Sequence, residues 1–75
     1  MPEGLTLQIN GQQRSFLRFS APTPLSDLLS ELGLKSDRIA VELNGEIARR
    51  THWPTLSVSH GDKLEIVHFV GGGTR

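Results

Sequence analysis

One stretch of this chain has helical periodicity, and it is short. Leu25, Leu28, Leu29 and Leu32 recur at i, i+3, i+4 and i+7, which lines a single helix face. Thr23 fits the N-cap and Pro24 the first helical position, where a missing N–H is harmless. Asp27 lies near the positive end of the helix dipole. Gly33 supplies a left-handed residue just past the end, with Leu34 placed for the accompanying apolar contact. A helix is expected over 24–32. The other apolar residues follow a period of two or form short runs, so the rest of the chain is sheet and turn. One helix of this length covers one face of a sheet and leaves the other open.

Leu5-Thr6-Leu7-Gln8-Ile9 alternates apolar and polar and reads as a half-buried strand. Asn10-Gly11 follows, and both residue types tolerate the positive φ of a type I′ hairpin turn. The return strand is expected over 12–19, with Leu17 and Phe19 on one face and Phe16 on the other. Ser20 to Pro24 breaks it. Ile39 to Leu43 is a third strand, closed by a second Asn-Gly at Asn44-Gly45 and returned over 46–49. Thr51 to Leu56, with Trp53-Pro54, forms a turn or a single helical turn. Ser59 to Asp62 is a turn, and 63–70 is the last and longest strand. The order strand, strand, helix, strand, short strand, strand, with one open face, gives an α+β fold of ubiquitin-like β-grasp type. Its mixed sheet has four to five strands, one main helix packs on one face, and the parallel first and last strands are central. Residues 1–70 are expected to form the domain, and 71–75 a flexible glycine-rich tail.

Composition removes whole classes of function. The 75 residues contain no cysteine, which excludes disulfides, thiolate zinc sites, iron–sulfur clusters and a cysteine nucleophile. Domains of this size bury only about 60% of the surface exposed by the unfolded chain, so a large internal active-site cavity is not expected. Eight Lys/Arg balance eight Asp/Glu, without the basic excess that a phosphate-binding surface needs, so no nucleic-acid partner is expected. No basic-then-apolar leader opens the chain and no run approaches the 18 or so apolar residues of a membrane span. A cytoplasmic location away from membranes is the expectation.

Catalytic constellations are missing as well. His52, His60 and His68 have no helical i, i+4 spacing and would bind a metal only if the fold drew them together. No Gly-x-Ser-x-Gly elbow occurs. Gly71 to Gly73 is not a phosphate loop, since neither a Lys-Ser/Thr pair nor a helix follows it. Arg49-Arg50 reads as solvated surface. No catalytic residue and no metal site is expected.

The end of the chain says more. In the last strand Leu64, Ile66, His68 and Val70 share one face, while Lys63, Glu65, Val67 and Phe69 share the other. The charges mark the second face as the solvent side, yet Val67 and Phe69 continue on it. Two arrangements fit: a docking patch left open for a partner, or the Trp53 segment folded over it. Gly71-Gly72-Gly73 then stabilises nothing in a packed domain. It is either a linker or a thread narrow enough for a channel that excludes side chains. Three extended residues reach on the order of 10 Å, enough to carry a carboxyl into a partner's active site.

Glu65-Ile66-Val67-His68-Phe69-Val70-Gly71-Gly72-Gly73 resembles the C-terminus of the thiazole-biosynthesis sulfur carriers, the ThiS family. Val41 to Ile47 followed by Arg49-Arg50 and Trp53 is similar to the same family, as is the Asn10-Gly11 hairpin followed by Leu25-Ser26-Asp27-Leu28-Leu29. The similarity runs from about Leu5 to Gly73. It implies a carrier, monomeric when free, that is the substrate of an enzyme and not itself one. An E1-like partner uses ATP to adenylate the terminal glycine, sulfur replaces AMP to give a thiocarboxylate, and the thiazole synthase accepts that sulfur. By the same resemblance Gly73 and Gly72 form the reactive end; on the residue reading above, Gly71 belongs to the threading segment and Val67 and Phe69 to the docking patch. The carrier itself holds no cofactor. Related carriers, such as the small subunit of molybdopterin synthase, and ubiquitin-like protein modifiers share this fold and tail. The family ends at its glycines, whereas this chain continues with Thr74-Arg75. A carboxyl blocked by two residues cannot be adenylated.

Overall fold

The computed structural model describes residues 4–69; Val70, Gly71, Gly72, Gly73 and the two residues after them lie outside it. Strand β1 (Leu5–Ile9) turns through Asn10-Gly11 into β2 (Gln12–Phe16), and the two pair antiparallel with Ile9 opposite Gln12. Asn10 and Gly11 have φ of 50° and 83°, the two positive values of a type I′ turn. After the helix α1 (Leu25–Glu31) come β4 (Ile39–Leu43) and β5 (Glu46–Ala48), joined by a second such turn at Asn44-Gly45. The last strand, β7 (Lys63–His68), lies between β1 and β4, parallel to the first and antiparallel to the second. The five-stranded sheet has the order β2-β1-β7-β4-β5, with its parallel pair inside as expected.

Burial follows the alternation. Leu5, Leu7 and Ile9 from β1, Leu64 and Ile66 from β7, and Ile39 and Val41 from β4 face Leu25, Leu28 and Leu29 of α1. Their Thr6, Glu65 and Ala40 neighbours face the other way. Gly33 (φ 75°) donates to the Ser30 carbonyl, and Leu34 N–H donates to that of Leu29. That is the double-bonded glycine stop anticipated for this helix.

The helix start differs from expectation. Thr23 is not an N-cap: its hydroxyl donates to the Ser20 carbonyl at 2.6 Å. Thr23–Pro24 is instead a two-residue strand, β3, paired with β6 (Ser57–Val58), and Pro24 stands at the cap position. Two of the orphan N–H groups of the first turn are satisfied by the 53–56 loop, Leu25 N–H by the Leu56 carbonyl at 2.7 Å and Ser26 N–H by that of Trp53 at 3.2 Å. The return strand also ends sooner, at Phe16 and not Phe19. A turn at Leu17-Arg18 brings the Phe16 and Phe19 rings within 6.3 Å of each other against the core, and Leu17 is left 80% exposed. Packing two aromatics on one side outweighs continuing an edge strand that has no outer neighbour.

Strand β7 is clasped from both sides by the two Asn-Gly corners. Asn10 accepts the Ile66 N–H at 2.7 Å through Oδ1 and donates to the Ile66 carbonyl at 3.2 Å through Nδ2. Its amide acts as one more peptide group, extending the β1 ladder beyond the point where the backbone turns away. On the other side Asn44 Oδ1 accepts the Lys63 N–H at 2.9 Å, and Asn44 Nδ2 donates to Asp62 at 3.1 Å.

Candidate functional site

The site is the open face of the sheet where it runs toward the tail. In the antiparallel register Glu42 lies opposite Glu65, Ala40 opposite Val67, and Ile47 opposite Glu42 on the far side. All five side chains are exposed, Ile47 at 78% and Val67 at 59%. Phe69 is 53% exposed and its N–H donates to the Arg38 carbonyl at 2.8 Å, so the backbone is held by the sheet up to this residue. Arg49, two residues beyond Ile47 in extended backbone, joins Ile47, Ala40 and Phe69 around a shallow groove.

Val67 and Phe69 are therefore brought together on an uncovered surface. The Trp53 segment does not fold over them. Trp53 is buried in the core, its indole N–H donating to the Ala48 carbonyl at 2.8 Å, and its loop serves the helix N-terminus instead. Ile47, the most exposed large apolar residue of the patch, was not singled out from sequence. Its signal was there: it follows the Asn44-Gly45 turn by two residues and so falls opposite solvent-facing Glu42. Gly71, Gly72 and Gly73 belong to the segment outside the described residues.

The histidines separate. His52 lies in the 3-10 turn Arg50–His52, and His60 accepts the Thr6 N–H through Nδ1 at 3.2 Å. His68 ends β7 opposite Ile39 and is exposed, although the alternation put it with Leu64 and Ile66; it borders a surface groove with Ile66, Leu32 and Leu34. Among the described residues no three His, Asp or Glu side chains converge on a metal-sized site. No helix there is long and apolar enough to cross a membrane.

A helix lying across one face of a mixed sheet, with parallel first and last strands at its centre, defines the ubiquitin-like β-grasp class. Comparison with known proteins narrows this. The crystal structure of the thiamine biosynthesis protein ThiS from Geobacter metallireducens matches with a TM-score of 0.78 at 31% identity, over 92% of this chain and 100% of that one. The sulfur carrier protein ThiS of Bacillus subtilis is 34% identical over 89% of this chain and 98% of its own length. A thiazole synthase of Paramagnetospirillum magneticum is 46% identical over 93% of this chain, which spans 21% of that longer protein. The profile of the ThiS family matches residues 7–73. The chain belongs to the ThiS family.

Proposed function

We propose that this chain is a sulfur carrier for thiazole formation in thiamine biosynthesis, loaded at the carboxyl of Gly73. The observation that carries the reading is a family match running through Gly73 in a chain without cysteine. Without cysteine the chain offers no thiol to hold sulfur, which fits loading at the carboxyl of Gly73 once Thr74-Arg75 are removed. A carboxylate is a poor electrophile. An E1-like enzyme joins it to AMP from ATP and releases pyrophosphate. A sulfide-level nucleophile from the donor attacks the acyl carbon, the bond to AMP breaks, and the thiocarboxylate remains. The ATP site and acid–base groups belong to the partner, and the carrier contributes reach and position. Val67 and Phe69 dock the partner, and Gly71 and Gly72 admit the tail to a passage without room for side chains.

The P. magneticum relative supports the choice of acceptor. A protein named as a thiazole synthase contains a segment 46% identical to this chain, which supports the synthase as the sulfur acceptor. Activation needs a free carboxyl at Gly73, so the test uses the chain ending there. Incubated with the adenylating enzyme, ATP and a sulfur source, it gains the mass difference between sulfur and oxygen, and the product supports turnover by the thiazole synthase. An unchanged mass, under conditions that load the B. subtilis carrier, refutes the reading.

A further inference from the structure

Strand β2 ends the sheet order β2-β1-β7-β4-β5, and its outer edge carries none of the usual guards. Edge strands are blunted by proline, lysine, a bulge or a covering segment. β2 has no proline and no lysine, its five residues pair with β1 without a bulge, and no described strand lies beyond it. Counting from the Asn10-Gly11 turn, the peptide groups of Gln12, Arg14 and Phe16 face β1, and those of Gln13 and Ser15 face outward. Neither Gln13 nor Ser15 has a backbone partner on that side among the described residues. The opposite edge, β5, is three residues long and turns only the Ile47 peptide outward. Leu17, the most exposed large apolar residue described, directly follows β2. Arg14 has no ion-pair partner among the described residues, and its guanidinium lies 5.6 Å from the centroid of the Phe16 ring.

We propose that β2 is a self-association edge: two copies of this chain join their β2 strands antiparallel about a two-fold axis at Ser15. Three registers centre on the middle of the strand. An axis at Arg14 sets two guanidinium groups directly opposite each other, which is unfavourable. An axis at Gln13 runs the pairing into the Asn10-Gly11 corner and leaves Phe16 and Leu17 outside it. With the axis at Ser15, the two Ser15 residues exchange both backbone hydrogen bonds, Arg14 stands opposite Phe16 of the second copy, and Leu17 comes beside Gln13 of the second copy. The Arg14–Phe16 contact made within one chain is then repeated across the axis. Every cross-axis pair is met by this chain's own residues without like charges opposed, which favours a second copy over an unrelated strand. The axis is perpendicular to the sheet. Both helices therefore lie on one side of the joined sheet and both open faces on the other, and Val67 and Phe69 of each copy stay uncovered. An edge of five residues buries less surface than a stable dimer needs, so the pair forms at high concentration and the dilute chain is a monomer. The inference does not depend on the carrier reading above.

The experiment sediments the unsubstituted chain from about ten micromolar to about one millimolar and records amide spectra at the same concentrations. The average mass is expected to rise toward twice that of one chain, with spectral shifts centred on Gln13 to Leu17. Ser15→Cys tests the register. It gives the pair its only two thiols, with Cα atoms about 5.5 Å apart, within disulfide range. Glutathione disulfide takes up their two protons and two electrons and leaves as two glutathione thiols, and a covalent dimer forms. In Gln13→Cys the two positions are about 13 Å apart along the strands, and linking should be about ten-fold slower or less. Ser15→Pro removes an outward donor from each copy without touching the β1 ladder, and should sediment as a monomer throughout while keeping the circular dichroism of the unsubstituted chain. Leu17→Lys changes an exposed side chain, so it tests the edge independently of folding, and should weaken the dimer by roughly three-fold or more. A monomer mass still constant at about one millimolar, equal linking of the two cysteine variants, or shifts on β5 in place of β2 overturns the proposal.

Discussion

Replacing Asn10 tests whether a side chain completes the central ladder. Asn10 makes two hydrogen bonds to Ile66, at 2.7 and 3.2 Å, in a part-buried position. Each contributes about 1 kcal/mol net. Alanine at φ 50° adds a left-handed backbone cost of about 1 kcal/mol. Asn10→Ala should therefore destabilise by about 3 kcal/mol. Asn10→Gly loses the same bonds without the backbone cost and should lose about 2 kcal/mol. Urea unfolding followed by the fluorescence of the single buried Trp53 measures both. The slope against urea should stay constant, and exchange of the Ile66 amide should accelerate. If Asn10→Ala stays within about 0.5 kcal/mol of the parent, the range of an ordinary surface change, the side chain is not part of the ladder. If glycine is worse than alanine, the left-handed corner is not where the cost lies.

Gly4→Ala should cost about 2–3 kcal/mol, because φ is +87° and a Cβ would stand 2.6 Å from the Phe16 carbonyl oxygen. Gly11→Ala, with nothing within 4 Å of its Cβ, should lose only the backbone term of about 1 kcal/mol, and melting curves of the pair separate clash from conformation. Trp53→Phe should lose about 2 kcal/mol by leaving the buried Ala48 carbonyl without its 2.8 Å donor, followed by circular dichroism since the fluorophore is gone. Ile47→Ser should change stability by no more than about 0.5 kcal/mol while weakening synthase binding in a pull-down, and a large drop in melting temperature would place Ile47 in the core.

The parts of this molecule that were legible from sequence are those set by local rules. Leucine spacing gave the helix, Gly33 its end, and two Asn-Gly pairs the hairpins. Alternation in the last strand separated Leu64 and Ile66 from Val67 and Phe69. What escaped depends on segments far apart in the chain. The pairing of Thr23–Pro24 with Ser57–Val58 exists because the helix N-terminus takes its acceptors from the Trp53–Leu56 loop, and no pattern near Thr23 records that. The convergence of Phe16 with Phe19 needed a turn that the alternation hid. Nor did periodicity show that Asn10 and Asn44 each bond to β7, since a turn explains asparagine at both positions without any distant partner.

That double clasp has a mechanical consequence. Under the function proposed above, the C-terminal end of β7 is the handle by which a partner would pull the domain. The pull runs along β7, which is bonded to β1 on one side and β4 on the other and held at Ile66 and Lys63 by the two asparagines. Force in that direction shears the flanking bonds together and does not peel them one by one. Force applied there therefore meets both neighbouring strands and both asparagines at once.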